Sequence, residues 1–313
     1  MSITALATRL GHALLVLWAA FTLSFLLLQA LPGDAVLIKF MSPDLGLSAS
    51  QIAELRQIYG ADVPLLTQYL AALSRLLRDD FGLSLQAGLP VSTLLLTNLP
   101  ATLQLAALGF VAALILAVAL AFLCALTPFA WLRQLLQSLP SLLISIPTFW
   151  LGIVLIQVFS FRLGWVSVIN PGELEGLVLP VLTLCVPIAA PIAQVLMRSI
   201  DQVLAQPFVA VARAKGLRRS GVLWRHVARN AILPALTLAG LLLGELIAGA
   251  LVTETVFGRS GLGQLTQEAV NTQDASVLQA IVLISAGAFV VVNLLVDGLY
   301  RLLDPRLKTV SQV

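Results

Sequence analysis

Six stretches of this chain stay mostly apolar for about twenty residues or more, near 10–31, 101–126, 134–160, 177–197, 231–253 and 277–303. Nothing in the sequence constrains the fold more. About 20 apolar residues are what a helix needs to cross the hydrocarbon layer of a membrane. Composition agrees: 59% of the residues are hydrophobic and 11% charged, whereas a soluble domain is nearer a quarter charged. The expected fold class is an all-α membrane protein with six transmembrane helices. The first stretch follows Arg9 as the apolar part of a signal peptide would. Its apolar run is too long for one, and Leu28-Gln29-Ala30 is a poor cleavage site, so an uncleaved anchor is expected.

Charge between the stretches orients them. With the N-terminus inside, twelve basic residues and two acids, Asp201 and Asp304, fall on the inner side. Six basic residues and eleven acids fall outside. A Lys/Arg excess marks cytoplasmic loops, so both termini of a multi-pass membrane protein are expected in the cytoplasm.

Three parts follow: an N-terminal transmembrane helix (1–31), an external helical segment (32–98) and a five-helix core (99–313). In the external segment, Ser48 and Gln51 have capping-box spacing, Ile52, Leu55 and Tyr59 share a face, and Gly60 is a stop. Leu66, Tyr69, Leu70, Leu73 and Leu77 repeat an amphipathic pattern. These helices are either a cap meeting an external partner or a packed lid. On the inner side, 198–230 carries seven Lys/Arg and one acid, Asp201. A helix over 202–215 is expected, with Arg213 and Lys215 in its last turn and Gly216 as its left-handed cap. A second helix is expected near 220–229. Such a basic loop satisfies the orientation rule, holds anionic lipid heads or docks a cytoplasmic protein; charge alone does not choose.

Glu245 and Asp297 are the acids that fall well inside the spans, where an ionisable group is costly. Asp297 is near enough to the inner end to pair with Arg301 one turn on. Glu245 is deeper, and either lines a polar path or is a protonated group hydrogen-bonded between helices. Pro140 and Pro147 in the third span, and Pro180, Pro187 and Pro191 in the fourth, are candidate kinks. Gly240 and Gly244 form a G-x-x-x-G suited to close helix packing. Cys124 and Cys185 read as buried hydrophobes, and no Cys/His cluster has metal-ligand spacing. Neither His12 nor His226 lies at span depth beside a serine, as an intramembrane serine protease would require. No P-loop is present, so the chain is not expected to hydrolyse ATP.

The order of residues in the basic loop is more specific than its charge. "FVAVARAKGLRRSGVLWRHVARNAILPALT" resembles the cytoplasmic coupling loop of ABC-importer permeases of the dipeptide, oligopeptide and nickel branch. The shared residues are Ala212, Arg213, Ala214, Lys215, Gly216, His226, Arg229, Asn230, Ala231 and Pro234. The glutamate that opens the general signature is replaced here by Ala210, followed by Val211. Further matching pieces are "LPGDA" (31–35), "DVPLLTQYL" (62–70), "DDFGLSL" (79–85), "NLPATLQLA" (98–106), "IPTFWLGIVLIQVFSFRLGW" (146–165), "LPVLTL" (179–184), "VTETVFGRSGLGQL" (252–265) and "LLDPRLK" (302–308).

This resemblance implies a type I ABC-importer permease fold and a non-catalytic subunit moving peptides or similar small solutes across a bacterial inner membrane. Nickel or a metal chelate is the alternative substrate. A proton-coupled secondary transporter using Glu245 is the remote alternative class. The implied partners are a second, similar permease, two ATPase subunits that bind ATP and Mg, an external solute-binding protein and membrane lipid; no nucleic acid is involved. The implied coupling residues are Ala210, Ala212, Arg213, Ala214, Lys215, Gly216, His226, Arg229 and Asn230. Glu245, Pro147 and Gly244 are the candidates for the translocation path.

Overall fold

The computed structural model describes residues 3–30, 63–169, 171, 172 and 174–303, with backbone alone for 3–6, 30 and 297–303. The Ser48–Gly60 helix, "LPGDA", the basic residues beyond 303 and the side chains of Asp297 and Arg301 lie outside the described residues. Eleven α-helices run in order among the described residues: α1 Ile3–Ala30, α2 Leu65–Leu76, α3 Val91–Leu126, α4 Ala130–Ile144, α5 Thr148–Leu155, α6 Glu175–Leu204, α7 Pro207–Ala214, α8 Arg219–Val222, α9 Ala228–Phe257, α10 Leu262–Asn271 and α11 Ala275–Leu303. Wider π-helical turns extend α5 through Ile156–Arg162 and join α8 to α9 through Leu223–Val227. Five helical stretches are long and apolar enough to cross a membrane, and the bent pair α4–α5 supplies the sixth.

That bend corrects the expectation of one continuous helix over 134–160. The axes of α4 and of α5 with its π-helical extension differ by 105°. Proline disfavours helical backbone in the residue before it, and α4 accordingly ends at Ile144, with Pro147 extended at φ −61, ψ 133 before α5 begins. Pro140 stays inside α4 and is buried. The two prolines therefore do not share the face of one helix. Pro180, Pro187 and Pro191 all lie within the unbroken run of α6.

The chain forms two compact units. One comprises Met1–Thr102 and Gly258–Val290. Here the ring of Tyr69 on α2 sits 5.4 Å from both Phe21 and Phe25 of α1, and its hydroxyl lies 2.9 Å from that of Thr22. This wedge sets the rotation of α2. Tyr69, Ala72, Leu73 and Leu76 turn inward, while Leu66, Leu70 and Leu77, expected on the same face, are exposed. In the same unit buried Asp274 caps α11 through the Val277 N–H at 3.3 Å and accepts the Ser84 hydroxyl at 2.6 Å and the Gln86 N–H at 3.2 Å. The Thr102 hydroxyl accepts the N–H of Leu262 at the start of α10, at 2.9 Å.

The other unit comprises Leu103–Phe257 and Val291–Val313. Its centre is α6, whose buried face runs from Leu177 to Ile200. Leu184 fits between two glycines: a Cβ on Gly109 of α3 would stand 2.7 Å from it, and one on Gly249 of α9 2.9 Å. Neither position tolerates a side chain without movement, so three helices close on one leucine. Gly240 does the same for α9 against α11, where a Cβ would stand 2.3 Å from Val296. Of the G-x-x-x-G expected from the sequence, Gly240 is buried and makes the close packing; Gly244 is half-buried.

Candidate functional site: the basic helical turn and its attachments

The basic loop folds as helix, glycine turn, helix, but its limits differ from those expected. Helix α6 runs on to Leu204, and Pro207 opens a separate helix, α7. Proline at the first helical position loses no bond, since that N–H has no intrahelical partner. Asp201 therefore belongs to the end of α6 and not to the basic helix. The second helix is not a separate element either. From Arg219 the backbone is helical without a gap to Phe257, so the basic turn is the root of the fifth span.

The turn itself is a Schellman cap. Gly216 has φ +84, its N–H donates to the Arg213 carbonyl at 2.9 Å, and the Leu217 N–H donates to the Ala212 carbonyl at 3.4 Å. A Cβ on Gly216 would meet nothing within 4 Å. The requirement for glycine is thus one of backbone conformation, not of space.

One face of this element is keyed to the core. Val209 and Ala212, three apart on α7, are buried, as are Val222, Leu223 and Val227; all five join the hydrophobic core that contains α3 and α6. The opposite face is open. Phe208, Ala210, Val211, Arg213, Ala214, Lys215, Gly216, Arg218 and Arg219 are exposed, as are Arg225, Arg229 and Asn230. This face carries no acid. His226 is half-buried, and its carbonyl accepts the Asn230 side chain at 2.9 Å. Of the residues implied as coupling contacts, Ala212 alone is fully buried in the core.

Two attachments were not anticipated from the sequence. The ring of Trp224 lies 4.3 Å from that of Phe122 near the end of α3. Asp201, at the end of α6, accepts the guanidinium of Arg133 on α4 at 2.6 Å and the amide of Gln137 at 3.3 Å. The sequence signal for the second was present: Arg133 and Asp201 are an unlike pair in two loops placed on the same side. The Trp224–Phe122 contact had none, because pairing of single aromatics on separate helices is a tertiary outcome.

The path candidates fall in different places. Glu245 is exposed on α9, and among the described residues it takes part in no hydrogen bond or ion pair. Pro147 is exposed at the α4–α5 break, and Gly244 is half-buried. Cys124 and Cys185 are buried, as expected. Among the described residues no cluster of His, Cys, Asp or Glu is placed to hold a metal.

The bundle of membrane helices around α6 has the fold of a type I ABC-importer permease. Inward-facing structures of the MetNI methionine ABC transporter share it, with a TM-score of 0.57 at 16% identity, over 67% of this chain and 96% of that one. A second crystal form gives 0.57 at 17% identity, over 68% and 97%. Residues 117–309 match the model of the binding-protein-dependent transport system inner membrane component. Similar curated proteins are the glutathione transport system permease GsiC of Escherichia coli K12, 35% identical over 302 residues, 96% of this chain and 97% of that protein. Its counterpart in Salmonella paratyphi A is 35% identical over 287 residues, 91% and 92%. The chain belongs to this family of binding-protein-dependent permeases, in the dipeptide and oligopeptide branch of ABC importers.

Proposed function

We propose that this chain is one permease subunit of an ATP-driven importer for peptides or peptide-like solutes, glutathione-like tripeptides among them. The observation that supports it most is the basic turn: a cationic outer face, free of acids, on a helix keyed to the core by Val209 and Ala212. Two ATPase subunits, which bind ATP and Mg, dock on that face. Their closure moves α7 as a lever, and because the backbone is helical from Arg219 to Phe257, the push reaches the fifth span directly. Trp224–Phe122 carries it to α3, and Asp201–Arg133 carries it to α4.

In this reading the basic end is cytoplasmic, an external binding protein delivers the solute, and a second permease completes the pathway. The chain's share of that pathway is the outward face of α9 with Glu245. An anionic residue facing lipid at mid-span costs about 2.5–3.5 kcal/mol on insertion scales. A watery path between two permeases removes that cost. The GsiC relatives favour a peptide-like solute over nickel. The test is co-purification and uptake. With partner ATPases co-expressed, the double charge reversal Arg213→Glu, Lys215→Glu abolishes their retention and vesicle uptake of labelled glutathione, while membrane insertion is unchanged. Retained ATPases would refute docking at this face. A reporter after Lys308 reads cytoplasmic, and one at Gly46 reads external.

A further inference from the structure

The outward face of α9 is chemically one-sided. Pro234, Thr237, Leu241, Glu245, Ala248, Val252 and Thr255 are all exposed and follow one another at three- and four-residue steps, so they form a single stripe. Glu245 stands roughly 18–22 Å along the axis from either flank of the apolar run. No Lys or Arg occurs from Ala231 to Phe257. The hydroxyls of the stripe do not supply donors either. Thr237 donates to the Leu233 carbonyl at 3.0 Å and Thr255 to the Leu251 carbonyl at 3.0 Å. Each is left presenting acceptor lone pairs outward. In the same unit, exposed Ser138 on α4 and Ser145 just after its end likewise spend their protons on the carbonyls of Leu135 at 2.9 Å and Ser141 at 3.0 Å.

Glu245 stands on this stripe between Leu241 and Ala248, about 12 Å along the axis from Thr237 and about 15 Å from Thr255. A carboxylate with no cation between Ala231 and Phe257 is complementary to a group that donates and carries positive charge. A protonated amine fits: three N–H donors and one charge. A nickel ion fits poorly, because the stripe offers neither imidazole nor thiolate. We propose that Glu245 is a cation-selecting point in the path that engages the ammonium group of the solute, and that the permease itself thereby favours solutes carrying a free amine. This rests on the reading of the α9 stripe as path-lining.

The experiment separates the two claims without needing the natural solute. Ala248→Cys, one turn from Glu245, is made in the complete transporter in membrane vesicles. The chain without it is the background, since Cys124 and Cys185 are buried. Its thiol is reacted with a cationic methanethiosulfonate (trimethylammonium-ethyl) and an anionic one (sulfonato-ethyl). With Glu245 present the cationic reagent gains about tenfold over the anionic one, relative to their ratio on a free thiol, as a focused negative field gives. In Ala248→Cys with Glu245→Gln that preference disappears. A ratio unmoved by Glu245→Gln overturns cation selection while leaving the path reading standing. Absence of modification by either reagent, at Ala248→Cys and again at Leu241→Cys, overturns the path reading itself.

Discussion

Two short amphipathic helices, α7 and α2, lie against longer ones, and they are attached in opposite ways. Helix α7 drives two residues into the core, Val209 and Ala212, and is closed by a glycine whose backbone no other residue adopts easily. Helix α2 buries no residue fully. It rests on α1 through the Tyr69 ring and hydroxyl and through the Gln29 amide, which donates to Gln68 Oε1 at 2.8 Å, with Leu66, Leu70 and Leu77 left exposed. Helix α7 is fixed at its inner face and bare at its outer one, which suits the lever role proposed for it. Helix α2 is held by a few partly exposed contacts, which suits a surface that adjusts to what meets it.

The largest test of that contrast is Val209→Asp. An unpaired charge in the core costs roughly 3–5 kcal/mol, so α7 detaches. Uptake by the assembled transporter falls below detection while the spans still insert, read by vesicle transport beside membrane fractionation. On α2, Tyr69→Ala removes two ring contacts worth about 0.5–1.5 kcal/mol each. Limited proteolysis near residue 63 rises, and uptake falls only where binding protein is limiting. If Tyr69→Ala abolishes uptake at saturating binding protein, α2 is no adjustable surface and the contrast fails. Trp224→Ala loses a single aromatic pair, about 0.5–1.5 kcal/mol; ATP hydrolysis persists while solute moved per ATP drops severalfold. Smallest is Asp201→Asn, which removes a pair some 40% exposed on both sides and worth about 0.2–1 kcal/mol. Its effect appears in the salt dependence of uptake more than in its rate.

The long apolar runs made the spans legible, because hydrophobic length needs no tertiary information. The turn at Gly216 was legible for a similar local reason: cations in the last turn and glycine after it are a cap that the backbone itself demands. Legibility stopped where packing decides. Nothing local says that α2 turns on Tyr69 instead of on its leucines, or that Leu184 is gripped by Gly109 and Gly249. The break before Pro147 was visible as a proline but not as a 105° bend, since proline is common within membrane helices and α6 continues unbroken past three. Glu245 was found from the sequence; that it faces outward, on one stripe with Leu241 and Ala248, required the fold.

The central claim is that the basic turn couples ATP hydrolysis to transport, and Gly216 tests it most directly. At φ +84 with open space around it, only backbone strain separates glycine from another residue. A side chain there costs about 1–2 kcal/mol, a five- to thirtyfold shift in an equilibrium, more for a β-branched one and less for asparagine. The measurement is binding-protein-stimulated ATP hydrolysis by the purified complex, beside uptake in proteoliposomes, for Gly216→Val and Gly216→Asn. The account predicts that Gly216→Val leaves the complex assembled but lowers solute moved per ATP by about that factor, with Gly216→Asn in between. Equal coupling ratios in Gly216→Val and the unaltered transporter would contradict it.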